Sequence, residues 1–163
     1  MSKTIRVALK IWFQKKLLSS KGVIVHHNTI FSNINFLGKA EIEPYCRLIG
    51  DPKIIVGNNF YMNAHCHILG NIKIGNDVMI GPKTVIWGRD HSMSRGKPMK
   101  EQKHIKLDIK IEDDVWIGAN VTILKGVKIS KGAVIGAGSV VTKSIPEYSV
   151  AVGNPAKVIK YRK

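Results

Sequence analysis

An apolar residue returns every six positions through most of this chain. One such column comprises Val56, Met62, Ile68, Ile74, Ile80 and Ile86, then Ile111, Ile117, Ile123, Ile129, Ile135 and Val141. A second column, two residues earlier, comprises Ile54, Phe60, Cys66, Ile72, Val78 and Thr84, then Ile109, Val115, Val121, Val127, Ala133 and Ser139. A helix repeats at about 3.6 residues and a half-buried strand at about 2.0, so neither explains the pattern. A period of six predicts a β-solenoid, in which short strands stack coil upon coil.

Three six-residue units would make one coil of a triangular prism, and the chain would hold about six coils. Gly, Asn and Asp stand between the columns, where they tolerate the left-handed backbone that tight corners need. The early part is less regular, but the phase is kept by Ile24, Ile30, Phe36, Ile42, Leu48 and Ile54, which we expect to face inward. The predicted fold class is therefore an all-β parallel solenoid.

The six-residue pattern stops after Ile86 and resumes, out of phase, at Ile105. The intervening residues 87–104 predict a loop that is pushed out of the coil without secondary structure of its own. A long loop on a rigid scaffold is where binding and catalytic residues concentrate. We expect Pro146 to end the repeat and residues 147–163 to form a tail, so that residues 22–163 make one domain.

Residues 1–21 contain no acidic residue and carry apolar side chains at helical spacing, including Ile5, Ala8, Leu9 and Trp12. They predict a basic amphipathic helix. The helix could cap the first coil or dock on an anionic membrane surface. No secretory signal and no apolar run long enough for a membrane span is apparent, so we expect a cytoplasmic protein, either free or peripheral on the inner face of the membrane.

The net charge of +15 first suggests nucleic acid as a partner. However, lysines are spread along the whole chain, and aromatic residues make up 7% of it, with no interleaving of the kind that stacks bases. We therefore expect no nucleic-acid partner. A basic surface also suits a phosphorylated cofactor or an anionic glycan.

The segment IEDDVWIGANVTILKGVKISKGAVIGAGSVVTKSIPEYSVAVGNPAKVIK closely resembles the hexapeptide-repeat acyltransferases, and the likeness extends over residues 54–161. Its marks are the hexads, a loop with an Asp-His pair, VWIG after the loop, GAGSVVTK and the closing GNPAKVI. The resemblance points to the branch that O-acetylates sugars and surface polysaccharides. It implies a left-handed parallel β-helix, a homotrimer with sites between subunits, acetyl-CoA as co-substrate and a sugar or glycan acceptor, with no metal.

The resemblance also implies the catalytic group. His91, in RDHS, stands where the family carries its catalytic histidine, and a histidine has a pKa suited to a general base near neutral pH. Asp90 is its neighbour and could orient the ring. Residues that face the acceptor would be Asn63, His65 and Asn71, although Asn71 replaces an aspartate of the galactoside and maltose enzymes.

The residues carried over to the cofactor are Trp116, Ala119, Ala137, Thr142, Lys143, Lys157 and Lys160. Trp116 would line the cleft, and the two alanines, 18 residues apart, would let the pantetheine arm lie against backbone amides. Thr142 and the three lysines would face the adenine and phosphate end.

Alternative functions remain at this stage. Within the acyltransferases, the acceptor could be serine, an antibiotic hydroxyl or a nucleotide-sugar amine. A zinc enzyme of the carbonic anhydrase kind could use the same prism if His65, His67 and His91 converged on one metal. A non-enzymatic scaffold or a nucleic-acid binder is the third alternative.

Overall fold

The two predicted columns turn inward and form the core of a parallel β-solenoid of about 7 turns. The computed structural model describes residues 12–163, and every member of both columns is buried there. The buried hydroxyls are paired: Thr84 donates to the Gly118 carbonyl at 3.0 Å, and Ser139 donates to the Gly136 carbonyl at 2.6 Å. The interior is therefore apolar and satisfied, as the sequence predicts.

The secondary structure consists of one described helix, one short 3-10 turn at Met99–Glu101 and eighteen strands. Helix α1 spans 12–19. The strands are β1 (Val23–Val25), β2 (Ile30–Phe36), β3 (Ala40–Ile42), β4 (Arg47–Val56), β5 (Phe60–Met62), β6 (His67–Ile74), β7 (Met79–Ile80), β8 (Val85–Trp87), β9 (Arg89–His91), β10 (His104–Lys106), β11 (Ile109–Ile111), β12 (Trp116–Ile117), β13 (Thr122–Leu124), β14 (Lys128–Ile129), β15 (Val134–Ile135), β16 (Val140–Val141), β17 (Ser149–Val152) and β18 (Lys157–Tyr161).

Three parallel ladders give the solenoid three faces. Face 1 stacks β1, β3, β5, β7, β12, β15 and β17, and these strands number coils 1 to 7. Face 2 comprises the first halves of β2, β4 and β6 together with β8, β13 and β16, while face 3 comprises their second halves with β11 and β14. Corner 1 joins faces 1 and 2, corner 2 joins faces 2 and 3, and corner 3 joins face 3 to the next coil.

The first coils depart from the predicted phase. Val23 pairs with Ala40 and Ala40 with Phe60, spacings of 17 and 20 residues, before β5 and β7 settle at 18. The prediction that Ile24 and Ile30 face inward is therefore wrong, since they are 48% and 59% exposed. The extra residues of coil 2 form a bulge between Gly50 and Ile54, which a strict hexad count does not anticipate.

The interruption of the pattern is also different from the prediction. Trp87 remains on face 2 in β8, and the excursion carries an antiparallel hairpin of β9 and β10. Ile105 is part of that hairpin and is 44% exposed, and the solenoid resumes at Ile109, which pairs with Ile72. The segment is structured because backbone groups that leave a ladder find partners across a hairpin.

The two ends of the solenoid are closed by different elements. The repeat continues past Pro146 into β17, contrary to prediction, and β18 then turns back antiparallel to it. At the other end, Leu18 of α1 packs against the core. Residues 1–11, with most of the predicted apolar face, lie outside the described residues, and Trp12 is 55% exposed instead of packed inward. Among residues 12–163 no helix is long and apolar enough to cross a bilayer.

Candidate active site

The hairpin that carries His91 is pinned to the solenoid by ion pairs at its base. Lys106 of β10 lies 2.8 Å from Asp51 at corner 2 of coil 2, two coils before the one that the hairpin leaves. Lys125, in corner 2 of the following coil, bonds to Asp90 of β9. The hydrogen bond from Lys106 keeps the pKa of Asp51 below its ordinary value. The hairpin is thus fixed to coil 2 and to coil 5, which holds His91 at a defined height along the prism.

His91 faces a second histidine that sequence reasoning missed. His104 lies directly across the hairpin, and the two ring centroids are 4.3 Å apart at a tilt of 43°. Desolvation first, and then the charge of His91, lower the pKa of His104. Only the hairpin register reveals this partner, because the two residues are separated by the whole excursion. The ring of His91 itself is exposed and open to a substrate.

Asp90 does not take the role predicted for it. Successive residues of a strand point to opposite sides, and the carboxylate of Asp90 bonds to Lys125. The prediction that Asp90 orients the His91 ring is wrong, and its role is to anchor the hairpin.

Corner 1 collects four of the predicted residues. Asn63 and His65 follow β5 in coil 3, Ala119 follows β12 in coil 5, and Ala137 follows β15 in coil 6. Asn63 accepts a hydrogen bond from the Ala64 amide at 2.7 Å, so its amide nitrogen is still available to a ligand. His65 has a left-handed backbone with φ of 61°, and its ring stacks on Tyr45 at 5.0 Å. His65 is therefore part of the corner's construction, which weakens its predicted acceptor role.

Ala119 and Ala137 present open backbone. Within the described residues neither amide N–H has a hydrogen-bond partner, although the Ala119 carbonyl accepts from the Gly138 amide at 2.9 Å. Gly118 brings the two coils together: a Cβ there would lie 2.7 Å from the Ala137 nitrogen. Small side chains and free donors in adjacent coils form a strip that suits an extended chain bearing amide groups.

Trp116 borders this strip on face 1. It pairs with Met79 on one side and Val134 on the other, and its side chain points outward, 53% exposed. An outward column of apolar residues along a face is unusual for a surface in water and marks it as a contact surface.

The remaining predicted residues lie apart from corner 1. Asn71, Thr142 and Lys143 fall at corner 2, the corner from which the hairpin departs, whereas Lys157 and Lys160 lie on β18 at the edge of face 1. Thr142 and the three lysines are exposed. One chain therefore divides most of the predicted site between corners 1 and 2, which are the two edges of face 2, and leaves Trp116, Lys157 and Lys160 on face 1.

Face 2 between these edges carries a polar cluster that sequence reasoning did not assign. An Arg47 guanidinium nitrogen lies 2.7 Å from Nε2 of His67, and His67 contacts the Trp87 ring edge-on at 5.1 Å. Arg89 lies over the same indole at 5.9 Å. Because a guanidinium can only donate, Nε2 of His67 is the acceptor of this bond. Burial first, and then the charge of Arg47, lower the pKa of His67.

The zinc hypothesis has no support in this geometry. His65 is stacked at corner 1, His67 is bonded on face 2 and His91 stands on the hairpin. Arg47 also occupies the lone pair on Nε2 of His67, one of the two ring nitrogens that could bind zinc. One chain does not bring the three rings together.

Comparisons with known proteins agree with this fold. The sequence matches the family "Bacterial transferase hexapeptide (six repeats)" over residues 108–143. Comparison with curated proteins finds no match. A maltose O-acetyltransferase from Clostridium difficile 630 is 34% identical, with 93% of this chain and 76% of that chain covered and a TM-score of 0.71.

Two further solved structures are similar. A hexapeptide-repeat acetyltransferase from Vibrio cholerae O1 biovar eltor, complexed with acetyl coenzyme A, is 27% identical over 93% of this chain and 78% of that chain, with a TM-score of 0.70. A point mutant of AntD, an N-acyltransferase from Bacillus cereus in complex with dTDP-4-amino-4,6-dideoxyglucose and coenzyme A, is 23% identical over 92% of this chain and 89% of that chain, with a TM-score of 0.79. At that identity AntD shows the fold alone.

The solenoid, the interrupting hairpin with its histidine and the 34% identity to an acetyltransferase over most of both chains lead to one conclusion. The chain belongs to the hexapeptide-repeat acyltransferase family.

Proposed function

We propose that the chain is a cytoplasmic, acetyl-CoA-dependent O-acetyltransferase that acetylates a hydroxyl of a sugar or surface-polysaccharide precursor. The observation that carries this proposal is the order of residues along the prism. Asn63 belongs to coil 3, the His91 hairpin leaves coil 4, and the open amides of Ala119 and Ala137 follow in coils 5 and 6. Coils rise by about 4.8 Å each, so acceptor, base and donor would succeed one another within about 15 Å.

His91 is the proposed general base. Its imidazole is exposed, and ion pairs fix its hairpin to coil 2 and coil 5. A ring nitrogen can take the proton of an acceptor hydroxyl and hold it for the departing thiolate. Bound acetyl-CoA supplies the acetyl thioester, whose thiol leaves as the hydroxyl oxygen attacks the carbonyl. No covalent bond to the chain is needed, and general base catalysis of this kind contributes about 10²–10⁴-fold.

Corner 1 fits the donor. The free amides of Ala119 and Ala137 can donate to the carbonyls of a pantetheine arm, and their small side chains leave room for it. The exposed ammonium groups of Lys143, Lys157 and Lys160 suit the phosphates at the far end.

A homotrimer accounts for the division of these residues between two corners. In a closed ring of parallel prisms, corner 1 of one subunit would face the hairpin of the next, so that each site is completed by a partner copy. The exposed apolar column of face 1, with Met79 and Trp116 about half exposed, supports such burial.

The sugar acceptor is supported by the maltose O-acetyltransferase relative and by face 2. The half-buried Trp87 ring, flanked by His67 and Arg89, offers the aromatic and polar surface on which a sugar ring can stack.

The test is thiol release from acetyl-CoA in the presence of sugars, amino sugars and serine. We expect release with a hydroxyl sugar, and His91→Ala should lower turnover by at least about 10²-fold while acetyl-CoA still binds in calorimetry. The matched control is His27→Ala, which removes an exposed histidine at corner 1, away from the hairpin. It should leave turnover unchanged.

Two results would overturn the proposal. Full turnover in His91→Ala would exclude His91 as the base. Release with amines alone, and none with any hydroxyl sugar, would make the chain an N-acyltransferase.

A further inference from the structure

Helix α1 has two unlike faces. Leu18 points to the core and lines a groove with Phe31 and Phe36 of coil 1, which closes the end of the solenoid. Trp12 and Phe13 point away from it, whereas Leu17 borders both this groove and the outward side; the three side chains are 55%, 70% and 60% exposed. At about 100° per residue these three span an arc of about 140° on the helix. The capping function therefore uses one side of α1 and leaves an aromatic side that residues 12–163 do not cover.

That outward side has the composition of a bilayer interface. Trp is favoured at the level of lipid headgroups, and Trp, Phe and Leu together are typical of the apolar face of a helix that lies in a membrane surface. Lys16 lies within the same arc, with its ammonium 5.1 Å from the centre of the Trp12 ring. Lysine beside aromatic residues is typical of helices that lie in the plane of a membrane surface.

Charge around the helix selects one kind of membrane. The first acidic residue of the chain is Glu41. Before it stand the basic residues Lys3, Arg6, Lys10, Lys15, Lys16, Lys21 and Lys39. Of those that the structure describes, Lys16, Lys21 and Lys39 are exposed near the helix, and the Lys15 ammonium bonds to the His26 carbonyl. Each basic residue near an anionic surface adds to the attraction.

We propose that the outward side of α1, formed by Trp12, Phe13, Lys16 and Leu17, docks the enzyme on an anionic phospholipid surface. The three apolar side chains enter the headgroup region, and the surrounding lysines pair with lipid phosphates. The catalytic hairpin leaves the prism three coils further along, about 15 Å away at about 4.8 Å per coil. Docking through α1 would thus hold the site close to the membrane without covering it.

Sedimentation of the full chain with vesicles tests this. We expect binding to vesicles of phosphatidylcholine with one-third phosphatidylglycerol, weaker binding to phosphatidylcholine alone, and partial loss as salt rises. The variant W12S/F13S/L17S should lose at least tenfold in partitioning. The control M93S/M99S/I105S, which removes three exposed apolar side chains from the hairpin, should bind vesicles like the parent chain.

The other occupants of this surface are separate outcomes. Equal vesicle binding by W12S/F13S/L17S would overturn the proposal, and so would equal binding to neutral and anionic vesicles. The chain could instead bind no vesicles and form an assembly in solution. If light scattering then shows that W12S/F13S/L17S halves the mass of that assembly, the surface is a contact between copies of this chain. Acetyl-CoA binding by W12S/F13S/L17S, measured in calorimetry, verifies that the variant is folded.

Discussion

Corners 1 and 3 of the prism have the same backbone and opposite uses. Both turn through a left-handed residue in nearly every coil, for example His65 and Asn120 at corner 1 and Asp77 and Asp114 at corner 3. At corner 3 each side chain accepts a hydrogen bond from a backbone amide of the coil before it. Asn58 accepts from the Lys39 amide at 2.9 Å, Asn76 from the Asn58 amide at 2.8 Å, and Asp113 from the Asn76 amide at 2.8 Å.

Corner 1 lacks such a ladder in its later coils. Small residues occupy the equivalent positions, and the amides of Ala119 and Ala137 have no partner in the described chain. A repeat fold can thus separate stability from ligand binding by changing only the side chains at one corner. At corner 3, hydrogen bonds from backbone amides to side chains join adjacent coils. At corner 1 the equivalent backbone amides are free to donate to a ligand.

The largest effect should come from filling the open corner. Ala119→Leu should raise the dissociation constant of acetyl-CoA by at least tenfold, about 1.4 kcal/mol, because the larger side chain occupies the strip beside the free amides. Isothermal calorimetry measures it. The matched variant at corner 3, Lys131→Leu, also precedes a left-handed residue and should bind acetyl-CoA normally. Unchanged binding in Ala119→Leu would remove corner 1 from the cofactor site.

A smaller effect is expected from opening the closed corner. Asn76→Ala removes the acceptor of the Asn58 amide, which should cost about 1 kcal/mol and lower the melting temperature by about 2–4 °C. Thermal unfolding followed by circular dichroism measures it, with Asn35→Ala on the outside of β2 as control. Acetyl-CoA affinity should stay the same. A loss of affinity with no loss of stability would reverse the roles assigned to the two corners.

The smallest effect concerns Glu112, which begins corner 3 after β11. Its carboxylate lies 2.7 Å from Lys110 and 3.1 Å from Lys128, and the hydrogen bonds from these two lysines lower its pKa to about 2. Because the folded-state pKa is depressed, the stabilisation is fully present above the ordinary pKa of 4.5 and is lost as pH falls through about 2.

Glu112→Gln should therefore melt about 1–3 °C lower at pH 7, a small change because solvent screens these groups. The gap should close on acidification between pH 4.5 and about 2, in melts recorded across that range. Glu147→Gln, an exposed change at the same corner, is the control. If the difference in melting temperature between Glu112→Gln and the parent chain were the same near pH 2 as at pH 7, the ion pairs would not be its cause.

The regular coils could be predicted well from the sequence. The inward columns are buried throughout coils 3 to 6 because a side chain's inward or outward direction follows from its position in a short strand. The catalytic role of His91 and the cofactor role of Ala119 and Ala137, which rest on motifs, stay predictions. Predictions failed where coil length changes, as for Ile24 and Ile30, because a hexad count assumes equal coils.

The six-residue pattern does not predict which side chains meet between coils. Asp90 and Lys125 are 35 residues apart, Asp51 and Lys106 are 55 apart, and Arg47 reaches His67 only because coil 2 has 20 residues. His104 opposes His91 through the register of the hairpin. Which charged group meets which depends on stacking height, and no local pattern of residues states it.

The sequence by itself determined that the chain winds into a β-solenoid with an apolar interior, since that outcome needs only which residues avoid water and at what spacing. The tertiary structure decided at which corner the backbone amides are hydrogen-bonded by side chains and at which they are free. It also decided which ion pairs hold the hairpin and which side of α1 faces outward. Those outcomes depend on pairs of residues brought together across coils, where hydrogen bonds and charges act over a few ångströms and the order of the chain no longer indicates who the neighbours are.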